Sequence, residues 1–359
     1  MKTLFKLLTS ALFLILSVSC SEAPKSTVAT GPTATTSIAT GHQPQIAVDT
    51  EGVTRVVYGQ GDKILCATSR DNGVTFSEPV TVGVVGGMHL GMTRGPQIAS
   101  SSGHSFITAM DKKGNIHSFK LDHGTDKWAE ATAVNDLPGS APEGLMSIAA
   151  DKKDNFYAVW LDVRQDKKNK IVLSSISGDA NAWTKNSVVY QSPDSTVCEC
   201  CRPSVAVEDA QVNLMFRNWL NGSRDPYLAS SDDKGLTFSQ PEKLGERTWK
   251  LQGCPMDGGG VTIDDKSAVH TAWQRDGAIF YAQPGEKEVQ IGKGRNCSIS
   301  GKTTPVLSWR DGTELKVQVL TADNYTTVGE GTALQTAELA DRKILCVWEK
   351  DGEILFKKI

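Results

Sequence analysis

PQIAVD (44–49), PQIASS (96–101), LMSIAAD (145–151), PSVAVED (203–209), GGVTIDD (259–265), NCSISG (296–301) and TALQTAEL (332–339) hold one place in a repeat. Each reads as an innermost strand. A second strand, a tight turn and a third strand follow, as in VWLDVRQDKKNKIVLSS (159–175), AWQRDGAIFYA (272–282) and VWEKDGEILFKKI (347–359). Short β-rich segments broken by Asp-Gly, Lys-Gly and Asn-Gly turns, with no amphipathic helix of three turns, mark an all-β chain. Four such strands per repeat are what a β-propeller blade needs. The count predicts seven four-stranded blades, or six if the last two short repeats share one. The seventh repeat runs out of chain after its third strand, so the segment near Thr36 to Thr40 is expected to add the outer strand and remove an exposed edge.

Around this body the chain is divided by composition. Residues 1–19 carry Lys2 and Lys6, an apolar run from Leu7 to Leu16 and small residues up to Ser19. That is a signal peptide, too short to span a bilayer. The Cys20 that follows resembles the lipidated cysteine of bacterial lipoproteins, with Ser17 where that motif usually has Leu; a plain secretory signal is the alternative. The resemblance implies a cell-envelope protein, periplasmic or surface-exposed, held to the membrane by an N-terminal lipid. Residues 20–36 read as a flexible tether, and 37–359 as a single propeller domain.

The whole chain of 359 residues is 39% apolar and 22% charged, enough for a large core. Its 38 Lys and Arg against 41 Asp and Glu give −3, and loss of the leader leaves 36 against 41, or −5. Nucleic acid is not an expected partner of such a surface.

Two further segments, SRDNGVTF (69–76) and SDDKGLTF (231–238), fit Ser-x-Asp-x-Gly-x-Thr-aromatic. They resemble the Asp box of sialidase-type BNR-repeat propellers, which lies on the turn between third and fourth strands. Its task there is structural: Asp71 and Asp233 accept backbone N–H groups while Gly73 and Gly235 permit positive φ. The stretch from Arg202 to Phe238 is the most similar to that family. The resemblance implies an arginine cluster for a sugar carboxylate, for which Arg94, Arg224 and either Arg275 or Arg310 are the candidates. The chain departs from the family elsewhere. Cys201-Arg202-Pro203 stands where a catalytic Glu precedes Pro, and neither Tyr227 nor Tyr281 sits in a nucleophile motif.

Apart from Cys20 there are seven cysteines, an odd number that cannot all pair within one chain. Cys66 and Cys346 lie in apolar strand patterns and read as buried thiols. Cys198, Cys200, Cys201, Cys254 and Cys297 instead lie in loops leading into innermost strands, where residues remote in sequence are expected to converge on the channel mouth. The same loops bring His89, Met88, Met92, Arg94, Met256 and Asp257. Thiolate, thioether and imidazole together suit a soft metal, copper first and zinc second. Disulfide staples between neighbouring loops are the structural alternative. Three functions stay open: a copper-binding site for sequestration, delivery or redox chemistry, with ligands among Cys198, Cys200, Cys201, Cys254, His89 and Met256; a glycoside hydrolase or exo-sialidase acting on anionic sugars; and a non-catalytic scaffold for glycan or protein. A metal-delivery partner belongs to the first.

Overall fold

The computed structural model describes residues 34–194 and 196–359. The expected leader, Cys20 and most of the tether fall outside them. Seven four-stranded antiparallel sheets form a ring, and no helix occurs among the described residues. Blade 1 is His42–Val48, Thr54–Gln60, Lys63–Ser69 and Val80–Val84. The innermost strands of blades 2 to 7 are Gln97–Ser100, Met146–Ala150, Ser204–Glu208, Gly260–Ile263, Arg295–Ser300 and Thr332–Glu338. These pack on one another around the central channel. Each repeat of the sequence therefore makes one blade, and the six-bladed alternative falls away.

Blade 7 closes as the missing strand required. Thr36–Thr40 pairs antiparallel with Glu353–Lys358, Thr36 lying opposite Phe356. Thr36 is already strand, so the folded body begins one residue before the predicted boundary. This pairing covers an edge that would otherwise expose a row of unpaired N–H and C=O groups.

The core lies between the blades, because each sheet buries both faces against its neighbours. Trp160, Trp273, Trp309 and Trp348, from the second strands of blades 3, 5, 6 and 7, are at most 1% exposed. Three of them rest on a glycine of the preceding blade or its margin: Trp273 on Gly245, Trp309 on Gly292 and Trp348 on Gly329, where an added Cβ would come within 3 Å of the indole. Large ring and absent side chain form one packing unit. Truncating such a tryptophan to alanine typically costs about 3–5 kcal/mol.

The Ser-x-Asp-x-Gly-x-Thr turns lie between the third and fourth strands of blades 1 and 4. Asp71 accepts the N–H groups of Val74 and Thr75, and Asp233 that of Thr237. Gly73 and Gly235 take φ of 74° and 77°. Phe76 packs edge-on against Phe356 of blade 7. All of this is local scaffolding.

Three innermost strands start irregularly. Register shifts fall between His42 and Gln45, Arg295 and Ser298, and Thr332 and Gln335. Gln43, Asn296 and Ala333 take φ of 56°, 55° and 54° at these positions. A bulge there re-aims the strand's first side chains, and here it aims them at the channel mouth.

Candidate functional site: a cysteine loop beside an arginine-lined channel mouth

The mouth holds a cavity of about 390 Å³ bounded by blades 1, 6 and 7 and by the loops into blades 2, 4 and 5. Arg202, Arg295 and Arg310 line it, with Gln43, Asn296 and Gln335 supplying amides. The guanidiniums are lightly committed. Arg202 donates to Gln97 Oε1 (3.1 Å), Arg295 to the Pro255 carbonyl (3.4 Å), and Arg310 Nε is buried without an acceptor. Asp257 is the one carboxylate in the lining, 3% exposed and accepting the Asn296 N–H at 2.6 Å. Burial raises its pKa, opposed by Arg217 and by those backbone N–H groups. The concave surface is electropositive.

Beside this mouth, the loop ahead of blade 4 folds on itself. Cys198, Cys200 and Cys201 bring their Sγ atoms within 4.8 Å of one another; Cys198 lies 3.4 Å from Cys201 and 3.7 Å from Cys200. The loop can bend so tightly because Val197 and Cys198 are pinned: Val197 bridges to Asn218, and the Cys198 N–H donates to the Arg217 carbonyl. Cys198 and Cys201 are buried, and Cys200 is partly exposed. Arg224 donates to Cys198 Sγ at 2.9 Å, stacks over Trp219 at 4.3 Å and lies 3.6 Å from Glu199.

The three thiols differ electrostatically. Hydrogen bonds from Cys200 and Cys201, followed by the charges of Arg224 and Arg217, pull Cys198 well below the ordinary thiol range. The other two thiols move the other way: hydrogen bonding to Cys198 raises Cys200, and burial first pushes Cys201 up to about 12. The hydrogen bonds and charges thus favour the anion at Cys198 over either neighbour.

A buried arginine ties the loop to the cavity wall. Arg217, 1% exposed, donates Nε to the Asp257 carbonyl (3.0 Å), Nη1 to that of Arg224 (2.5 Å) and Nη2 to that of Gln274 (2.9 Å). Its head group is spent on backbone oxygens and is out of reach of any ligand.

The other candidate residues are dispersed. Cys254 is exposed and stands outside the group of three sulfurs. His89 packs on Gly144 with Nε2 3.1 Å from the Pro142 carbonyl, and burial followed by Arg94 lowers its pKa. Met256 and Met92 line the cavity, while Met88 is core. Cys297 is buried against Asp257 (3.7 Å), with burial raising its pKa. The expectation that sulfurs from separate sectors of the ring meet at one point is therefore corrected. The meeting sulfurs all come from one loop. All seven described cysteines are free thiols, so the predicted disulfide staples are not formed.

The arginines nominated for a sugar carboxylate do not meet either. Arg94 donates to the Glu143 carbonyl (2.6 Å), Arg224 serves Cys198, and Arg275 is paired with Glu288 under Phe280. Arg310 alone of the nominees lines the cavity. Tyr281 bonds His270 (2.7 Å) and Tyr227 stacks on Phe216, away from the mouth. Sequence reasoning passed over Arg202 and Arg295. For Arg295 the signal was the Gly294 directly before it at an irregular strand start, a pattern shared by Gly41-His42-Gln43 and Gly331-Thr332-Ala333, whereas Arg202 carries no such glycine.

No protein family and no curated protein matches the chain. Solved structures do. A Hadza microbial sialidase superposes with a TM-score of 0.52 at 12% identity over 89% of this chain, which spans 65% of that sialidase's length. The polysaccharide lyase Uly1 gives 0.59 at 9% identity over 89% of this chain and 90% of its own. The fucose-specific lectin of Aleuria aurantia gives 0.51 at 12% identity over 81% of this chain and 97% of its own. Identities this low establish a shared architecture: the chain is a seven-bladed propeller of sialidase-like fold.

Proposed function

We propose that the chain is an envelope lipoprotein whose Cys198–Cys200–Cys201 loop binds a soft metal ion, Cu(I) before Zn(II), for sequestration or delivery. The observation that carries this reading is the sulfur geometry. With metal–sulfur bonds near 2.3 Å, three sulfurs around one ion lie about 4 Å apart, and the loop holds two of its sulfur pairs at 3.4 and 3.7 Å. Thiolates outnumber the charge of Cu(I), and Arg224 and Arg217 offset the excess. Copper is favoured because three sulfurs from one short loop satisfy a low coordination number, whereas a structural zinc site takes four protein ligands. Cys254, His89 and Met256 leave the ligand set. Anaerobic titration with Cu(I) against a chromogenic chelator is the test. One equivalent should bind to wild type and to Cys254→Ser, and none to the Cys200→Ser/Cys201→Ser double variant. Equal binding by all three proteins would sink the proposal.

A second reading concerns the cavity. Three guanidiniums free of ion pairs, set among amide side chains, support binding of an anionic glycan at the channel mouth. Calorimetry with uronate and neutral oligosaccharides checks it, and a fluorogenic sialoside assay tests for turnover. Binding that persists in Arg202→Met/Arg310→Met would remove it.

A further inference from the structure

The sulfur loop contains a second chemistry that needs no metal. Glu199 and Cys200 occupy the centre of a tight turn, so Cys198 and Cys201 are its first and last residues. The ends of such a turn lie under about 7 Å apart at Cα, and a disulfide spans about 4.4–6.8 Å. Their sulfurs stand 3.4 Å apart, both buried, while Cys200, 3.7 Å from Cys198, reaches the surface. We infer that this loop is a thiol–disulfide exchange centre in which Cys200 receives an incoming small-molecule or protein disulfide and a Cys198–Cys201 bond is the product.

The steps balance. The Cys200 thiol attacks one sulfur of R–S–S–R, its proton passing to the expelled RS⁻, and forms Cys200–S–S–R. Cys198 then attacks the Cys200 sulfur, forming Cys198–Cys200 and expelling the second RS⁻. Finally Cys201 attacks the Cys198 sulfur, and Cys200 leaves as thiolate. Cys198 and Cys201 are oxidised to one disulfide, R–S–S–R is reduced to two thiols, and the protons of Cys200 and Cys201 pass to the departing RS⁻ groups. The last exchange is downhill because a two-residue turn accommodates the i,i+3 bond with less distortion than the i,i+2 bond that precedes it. Arg224, bonded to Cys198 Sγ at 2.9 Å, keeps the attacking sulfur anionic and oriented.

The test uses chelator-treated, metal-free protein incubated with oxidised glutathione, quenched with acid, alkylated and mapped by peptide mass spectrometry. Two cysteines should escape alkylation, and the peptide holding residues 198–201 should weigh two hydrogens less. Cys200→Ser should reach the same product about tenfold more slowly, and Cys201→Ser should stop at the Cys198–Cys200 bond, free of glutathione. Wild type that keeps all three thiols, or halts with glutathione on Cys200, overturns the inference; an unchanged rate in Cys200→Ser overturns the receiving role. Because no metal is present, failure here leaves the copper reading intact, and failure of the copper titration leaves this one intact.

Discussion

Cys346 and Cys198 are both 0% exposed, yet they are opposite in character. Cys346 lies in the second strand of blade 7 among Val306, Leu315, Ile344 and Trp348, and burial pushes its thiol up to about 12. Cys66 in blade 1 behaves likewise. Cys198 has two thiols and an arginine for neighbours and is pulled well below the ordinary range. Burial alone silences a thiol. Burial with donors and cations lowers it instead, and among the described cysteines the loop ahead of blade 4 supplies them.

The sharpest way to break this contrast is to remove the arginine that holds the loop. Arg217→Met strands three buried carbonyls and should cost about 3–5 kcal/mol in denaturant unfolding. A loss below about 1 kcal/mol would mean that water replaces the guanidinium. Next in size, Arg224→Met removes a facing charge without touching backbone. The Cys198 titration, followed by ultraviolet thiolate absorbance, should rise by about one pH unit or more; no movement would leave the two neighbouring thiols solely responsible. A smaller effect is expected from Cys346→Ala, about 1 kcal/mol of stability from lost packing with an unchanged thiolate signal, whereas Cys198→Ser should abolish that signal.

The smallest effect lies far from the loop. Hydrogen bonds from Thr237, side chain and backbone, then from Ser231, lower Asp233 to about 2. An unfolded Asp titrates near about 3.9, so this group's stabilisation is complete above that value and is lost as pH falls through about 2. Melting curves of wild type should show that acid-dependent component, and Asp233→Asn should lack it.

The blades were readable because each innermost strand repeats its own pattern, and because a last repeat lacking an outer strand demands one from elsewhere. Inter-blade tryptophans were readable for the same reason. The site was readable only in part. Cys198, Cys200 and Cys201 are close in sequence, and a tight turn is enough to gather them. Cys254, His89 and Met256 were grouped with them because their loops share a mouth. A mouth several blades wide, however, lets neighbouring loops face different ways, and Cys254 turns outward. Arg224 was assigned to a carboxylate, yet it donates to a sulfur, a pairing that no spacing rule announces. Arg295 was hidden because its aim depends on the irregular start of its strand and not on strand alternation, and Arg202 because it lies in the loop ahead of its strand.

The pairing of Thr36 with Phe356 joins positions 320 residues apart. During synthesis the strand made first must wait for a partner made long afterwards. Six blades can assemble as they emerge, but the ring stays open until Glu353–Lys358 is available, and the growing chain meanwhile carries one uncovered strand. A chaperone that shields an unpaired β-edge is the assistance that so late a closure calls for.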